Sequence, residues 1–259
     1  MLISGVLLNL RSPGLVTAMS PNARLRVDVI FRVLIQTGAE GSFLEVGCGQ
    51  GALATVLASH FDYVGYEPDT LSYETALSRL THSGVGRVVN CLLPIEVERT
   101  FDVLGAFEVL EHLEDDRTAM RQWVRWLRPN GYAVVSVPAH PHRFGPADAR
   151  VGHFRRYTRP AIEAVLVDAG LVDVTSIAYG FPLGYALEWA RNRIASRAGG
   201  DAESSRMADR TAASGRFLQP STLAAPLIWI GTLPFIWLQR LFTRGDLGTG
   251  FVAYGRRPA

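Results

Sequence analysis

Short apolar runs recur along this chain at residues 43–47, 63–66, 87–91, 101–107 and 132–137. Runs of this length, closed by glycine, proline or an acid, read as buried strands. Between them lie stretches with one apolar helical face. These predict helices over 51–60, 70–81 and 115–127, the last with Met120, Trp123, Val124 and Leu127 at helical spacing. A further helix is expected after Thr158-Arg159-Pro160, where the proline suits a first turn. It should stop near Gly170, with strands to follow at 171–178 and 250–254. Regular strand–helix alternation implies a mostly parallel α/β sheet with helices on both faces.

About seventy residues separate the last two strands, too many for an ordinary connection. They predict an inserted helical subdomain: a helix over 182–197, a polar linker over 198–215, and an apolar segment over 217–243. Residues 217–239 carry no charge and are long enough to span a bilayer. Pro220, Pro226, Gly231 and Pro234 interrupt them, however, and the chain must still return to the sheet. The expectation is therefore a greasy cover over the strand ends, or a helix lying in a membrane interface with Trp229 and Trp237 at head-group level. Residues 1–10 are apolar without a basic leader, which suggests a helical arm and not a signal peptide.

Composition adds little. The apolar share of 48% and charged share of 19% are those of a globular chain. All 26 basic residues are arginine and the net charge is only +2, so charge does not favour nucleic acid as a partner. Two cysteines, Cys48 and Cys91, offer neither a disulfide framework nor a metal cluster and fit a reducing cytoplasm.

The chemistry concentrates where the first strand ends. Phe43-Leu44-Glu45-Val46-Gly47-Cys48-Gly49-Gln50-Gly51 runs a strand into three alternating glycines, and Glu67 closes the next strand. Glycines at such a turn let a ligand approach the backbone at a helix N-terminus. An acid ending the neighbouring strand accepts hydrogen bonds from ribose hydroxyls. Dinucleotide sites use a different glycine spacing. Here an acid precedes the first glycine by two residues, which repels a pyrophosphate and suits a cationic ligand bearing an ammonium group. These residues resemble motifs I and II of class I S-adenosylmethionine-dependent methyltransferases. Phe101–Phe107, Glu108-Val109-Leu110-Glu111-His112 and Leu127-Arg128-Pro129-Asn130-Gly131 resemble later stretches of the same family in the same order.

The resemblance implies a Rossmann-like sheet ending in an antiparallel seventh strand, and S-adenosylmethionine as cofactor. Glu45, Gly47, Gly49 and Gly51 would shape its methionine end, Glu67 its ribose, and Phe107 and Glu108 its flank. Arg24 resembles an arginine that meets the cofactor carboxylate in ubiquinone-pathway enzymes. The expected division is an arm over 1–40, the cofactor-binding domain over 41–180, the insertion over 181–247 and the final strand over 248–259.

Glu108, Glu111 and His112 would share one face if their segment is helical. With His153 they make a divalent-metal set of two carboxylates and two imidazoles. Ubiquinone-pathway O-methyltransferases and RNA 2′-O-methyltransferases carry a similar segment. A metal would activate the acceptor hydroxyl. Residues 152–158, Gly-His-Phe-Arg-Arg-Tyr-Thr, also resemble a signature of a bacterial subgroup. Within the longer loop from Ser136 to Tyr157, His140, His142, His153 and Asp148 are the candidate general bases, with His153 first because it sits inside the signature. Arg155 and Arg156 are candidates to clamp an acidic group of the acceptor. The expected acceptor is a small or lipid-like molecule methylated at oxygen. The competing expectations are a cofactor-binding sensor without turnover and, more distantly, an RNA methyltransferase.

Overall fold

The computed structural model describes residues 19–91, 100–197 and 225–259. The expected linker over 198–215, residues 1–18 of the N-terminal arm and residues 217–224 lie outside them. Helix α1 (Pro21–Gln36) precedes β1 (Ser42–Val46), α2 (Ala54–Ala58), β2 (Asp62–Glu67), α3 (Thr70–Ser83) and β3 (Arg87–Asn90). Then come β4 (Phe101–Phe107), α4 (Asp116–Val124), β5 (Leu127–Pro138), α5 (Pro146–Val151), α6 (Arg159–Asp168) and β6 (Val172–Tyr179). Helices α7 (Leu183–Arg197) and α8 (Ala225–Gln239) precede the final strand, β7 (Gly250–Arg256).

The helices begin where side chains satisfy their first free N–H groups. Ser20 caps α1, Asp69 caps α3, Asp115 caps α4 and Thr158 caps α6, each accepting from the backbone three residues on. Gly84, with φ of 69°, closes α3 in the left-handed conformation that glycine adopts most easily.

The seven strands lie in the order β3-β2-β1-β4-β5-β7-β6. Pairs β1–β2, β1–β4, β2–β3 and β4–β5 are parallel, whereas β7 runs antiparallel between β5 and β6. The antiparallel seventh strand is thus as expected. Strand order reverses between β1 and β4, which places the ligand crevice at their carboxyl ends. Every residue of β1 is buried because helices cover both sheet faces, which explains continuous apolar runs in place of alternation. Phe43, Tyr63, Val103 and Val252 pack toward α1, α2 and α3. Leu44, Val64, Leu104 and Phe251 pack toward α4 and α6.

Two local expectations change. Strand β5 begins at Leu127, five residues early, with a register irregularity opposite Phe101–Val103. Its turn contains Asn130 at φ 63°, a conformation that asparagine tolerates. Residues 108–112 do not form one helix. The Glu108 amide still bonds to the Ser136 carbonyl in the sheet, so only Leu110–His112 can wind, as a single 3-10 turn. Glu108 therefore does not share a helical face with Glu111 and His112.

The insertion splits into two differently placed helices. Helix α7 lies over α5, while α8 lies along α1. Arg24 donates to the Thr232 hydroxyl, and Gln239 donates to the Leu25 carbonyl while accepting from the Gly180 amide. Among the described residues no helix is long and apolar enough to cross a membrane.

Candidate active site

The turn after β1 is built by backbone shape. Gly47, Gly49 and Gly51 have φ of 69°, 56° and 73°, conformations that L side chains rarely adopt. A methyl group on Gly47 would meet Val109 at 2.8 Å, and one on Gly51 would meet Ala76 at 2.9 Å. One on Gly49 would meet nothing within 4 Å. Packing therefore explains the outer two glycines, whereas the middle one borders open space that a ligand can enter. The buried Glu67 carboxylate stands beside it, accepting from the Gly49 amide at 2.7 Å and the Asp69 amide at 2.9 Å. Burial raises the Glu67 carboxyl despite these two donors.

Glu45 lies deeper, accepting from the Tyr63 hydroxyl at 2.6 Å. Its burial pushes the carboxyl up to about 7, against the opposing pull of Tyr63 and of the Arg26 charge. Arg26 was not among the expected site residues, and the structure puts it here. Its guanidinium lies 3.4 Å from Glu108, and its buried Nε has no hydrogen-bond partner among the described residues. Arg24, expected in this role, points the other way. It bonds to Thr232 of α8 and sits 5.7 Å from the centre of the Trp229 ring. Two residues on a helix differ by about 200° around its axis, so the two arginines cannot face one site. Asn90 spends its amide on the Glu67 and Pro68 carbonyls.

Glu108 leaves the end of β4 at φ 60°. It accepts from Tyr179 at 2.9 Å and Ser136 at 3.2 Å and pairs with Arg26. Burial pushes its carboxyl up, but the Arg26 charge, His153 and the two hydroxyls together hold it below the usual range. So engaged, Glu108 stands apart from the other candidate metal ligands. Phe107 is buried just before it.

Glu111, His112 and His153 do come together, with one donor atom of each lying within 4.8 Å of the others. The His112 and His153 rings meet edge-on at 4.7 Å. His112 Nδ1 faces the Gly152 carbonyl at 3.3 Å, and His153 Nδ1 faces Asp148 at 2.9 Å. With a proton on each Nδ1, each Nε2 carries a lone pair, and that of His153 lies 3.9 Å from Glu111. Outer-face hydrogen bonds of this kind orient metal-binding imidazoles. Both oxygens of the fully buried Glu111 lack a hydrogen-bond partner among the described residues. Burial and then the Glu108 charge push its carboxyl well above the ordinary range. His112 is lowered to about 4 by burial and by His153. An unpartnered buried carboxylate beside two lone-pair nitrogens fits a divalent cation; without one, Glu111 holds a proton.

Asp148 binds His153 through one oxygen and Arg156 through the other, at 2.8 and 3.0 Å. These partners outweigh burial and hold its carboxyl down at about 2. So weak a base does not take an acceptor proton near neutrality; it orients His153 instead. Arg156 also donates to Glu188 of α7 at 2.5 Å, and Glu188 accepts from Arg143 at 2.7 Å. The expected clamp is thus engaged within the protein, while Arg155 pairs with Asp116 and the Glu114 carbonyl. His140 lies away from this cluster, packed against the rings of His142 and Phe251.

A cleft opens beside these groups, lined by Asn22, Glu108, His153, Arg156, Arg191 and Thr249 among others. Its cover comes from α7 through Gly184, Leu187 and Glu188, with nothing from α8. Glu188 and Arg26 were missed in the sequence because each acts across a tertiary contact. For Arg26 the signal was present: Leu25, Val29 and Ile30 mark the inward face of α1 next to it.

A family model described as a methyltransferase domain matches residues 22–176. A probable S-adenosylmethionine-dependent methyltransferase of Mycobacterium tuberculosis is 29% identical over 154 residues, 58% of this chain and 55% of its own. A ubiquinone biosynthesis O-methyltransferase of Rickettsia canadensis is 30% identical over 97 residues, 36% of this chain and 41% of its own. The chain thus spans about half the length of the curated relatives it matches. In fold it is similar to the N-methyltransferase NodS of Bradyrhizobium japonicum, solved with S-adenosylhomocysteine, with a TM-score of 0.57 at 19% identity. That match covers 93% of this chain and 89% of the other.

Proposed function

The chain belongs to the class I S-adenosylmethionine-dependent methyltransferases, and we propose that it methylates a hydroxyl oxygen of a small or lipid-like acceptor. The observation that carries this reading is the Asp148–His153 pair at the edge of the polar cleft. S-adenosylmethionine supplies an electrophilic methyl group on a sulfonium, and the residues around the glycine turn fit it. In this reading the open face of Gly49 admits the ligand backbone, Glu67 takes the ribose hydroxyls, and Glu45 and Arg26 face its ammonium and carboxylate. Phe107 and Glu108 flank it from β4.

Asp148 holds the proton on His153 Nδ1, which leaves Nε2 to accept the proton of the acceptor hydroxyl as oxygen takes the methyl group. The cleft lining means that the reacting end of the acceptor is polar, whatever its tail. The name of the Rickettsia relative supports oxygen as the methylated atom. To test this, methyl-labelled S-adenosylmethionine is incubated with separate lipid and aqueous cell extracts, and labelled products are read by mass spectrometry. Wild type should label a hydroxyl compound and His153→Ala should lose at least about a hundredfold in rate. Equal labelling by His153→Ala overturns the base assignment. Tight S-adenosylhomocysteine binding with no labelled product would point instead to a cofactor-binding sensor.

A second reading rests on the unpartnered Glu111 carboxylate. Glu111, His112 and His153 would hold a divalent cation, which lowers the acceptor hydroxyl pKa. Nε2 of His153 then serves the ion and cannot serve as the base. Calorimetry with magnesium and manganese separates the two: binding that Glu111→Gln abolishes supports the cation, and no heat with either ion removes it.

A further inference from the structure

Helix α8 packs Phe235 and Ile236 against the core but turns polar side chains inward with them and leaves an apolar stripe outside. Thr232 and Gln239 are 3% and 1% exposed, and both bond to the protein interior with Thr243 buried just beyond them. On the opposite side Leu227, Ile230, Trp237 and Leu241 are 76%, 60%, 63% and 77% exposed. Their spacing of three, seven and four residues keeps them on one stripe of the helix and its final turn. Pro226, Gly231 and Pro234 complete that face without a polar side chain. A helix bordering water shows the reverse arrangement.

We propose that this stripe seats the protein on an anionic membrane surface, with α8 lying in the head-group plane. The charges around it identify the occupant. From residue 225 to 245 the only ionisable side chains are Arg240 and Arg244, both at the C-terminal end. The Arg240 guanidinium lies 4.6 Å from the centre of the Trp237 ring but is paired with Asp28 at 2.6 Å, so the charge offered outward at this end is that of the exposed Arg244. A second copy of the stripe would present Arg244 with apolar side chains or another arginine, since the nearby carboxylates of Asp28 and Asp246 are already paired with Arg240 and Arg159. An anionic bilayer answers both the apolar stripe and the cationic end. Trp229, half-buried beside Arg24, takes no part. The proposal does not depend on the methyl-transfer chemistry.

The test is co-sedimentation of the full chain with phosphatidylcholine vesicles, with and without phosphatidylglycerol. Wild type should pellet with the anionic vesicles, and less so as salt rises. Leu227→Ser, Ile230→Ser, Trp237→Ser and Leu241→Ser together should weaken binding at least about tenfold. Their S-adenosylhomocysteine affinity and melting temperature report whether the fold survives. If that variant is lost, Trp237→Glu alone gives the same readout, and Arg244→Glu should selectively reduce binding to the anionic vesicles. Wild type remaining in the supernatant with both vesicle types, or variants pelleting as wild type does, overturns the proposal. So does equal binding to neutral vesicles, or a concentration-dependent dimer that the serine variant dissolves.

Discussion

The two ends of the crevice are built from different materials. Around β1 and β2 the groups are close in sequence, and the backbone does much of the work. Three glycines take left-handed conformations within five residues, and Glu67 accepts from a glycine amide of that same turn. Around β4 and β5 the work falls to buried charges from distant segments. Asp148, His153 and Arg156 come from one loop, Glu188 from the insertion, and Arg26 from the first described helix. A backbone-built end accepts one constant ligand. A charge-built end, assembled partly by inserted residues, can differ between relatives while the sheet stays the same.

The largest break in that contrast should come from Arg156→Met. It leaves Asp148 and Glu188 buried without their shared cation, at a cost of about 3–5 kcal/mol in a denaturant titration. A loss below about 1 kcal/mol would show that water reaches the network. Acid should reach the same end of the crevice. The Asp148 carboxyl sits at about 2, below its unfolded value, so its contribution is complete above the unfolded value and is lost as pH falls through 2. That contribution is about 2 kcal/mol, and Asp148→Asn should flatten the acid limb of the stability curve.

At the backbone-built end, Glu67→Ala should weaken S-adenosylhomocysteine by about tenfold to a hundredfold in calorimetry, as expected for a lost pair of charge-assisted hydrogen bonds. Unchanged affinity would sink the ribose assignment. Gly49→Ala should cost about 1–2 kcal/mol of stability, the backbone term alone, since the added methyl meets open space. Gly47→Ala should cost more, because Val109 stands in the way. Equal losses would mean that Val109 moves freely.

The smallest effect sharpens the role of Glu45. Its carboxyl, raised to about 7, is protonated below that pH in the ligand-free protein. An ammonium ligand prefers the carboxylate, so S-adenosylhomocysteine affinity should rise with pH up to about 7 and then level off. The gain should be no more than about tenfold per pH unit. Stability of the free protein should move oppositely, falling as pH rises from the unfolded carboxyl value to about 7. Glu45→Gln should remove both slopes; a slope that persists in this variant assigns the titration to another group.

Much of the molecule was legible in the chain itself. The strands read correctly because both sheet faces are covered, so burial appears as unbroken apolar runs. The helix start at Thr158 and the turn at Asn130 are local events, decided by residues a few positions apart. For the same reason the glycine turn and Glu67 were found together.

What local pattern could not supply was direction. Arg24 and Arg26 are equally basic in sequence, and only the packing of α1 decides that one meets α8 and the other meets Glu108. His140 and His153 share one loop, yet Asp148 orients one imidazole while Phe251 and His142 pack against the other. The apolar stretch was visible as composition, but its inverted face was not, because the Thr232 and Gln239 partners lie some two hundred residues away. Hydrophobic order along a chain determines which segments are buried. Which side chain meets which ligand depends on contacts made only once those segments pack.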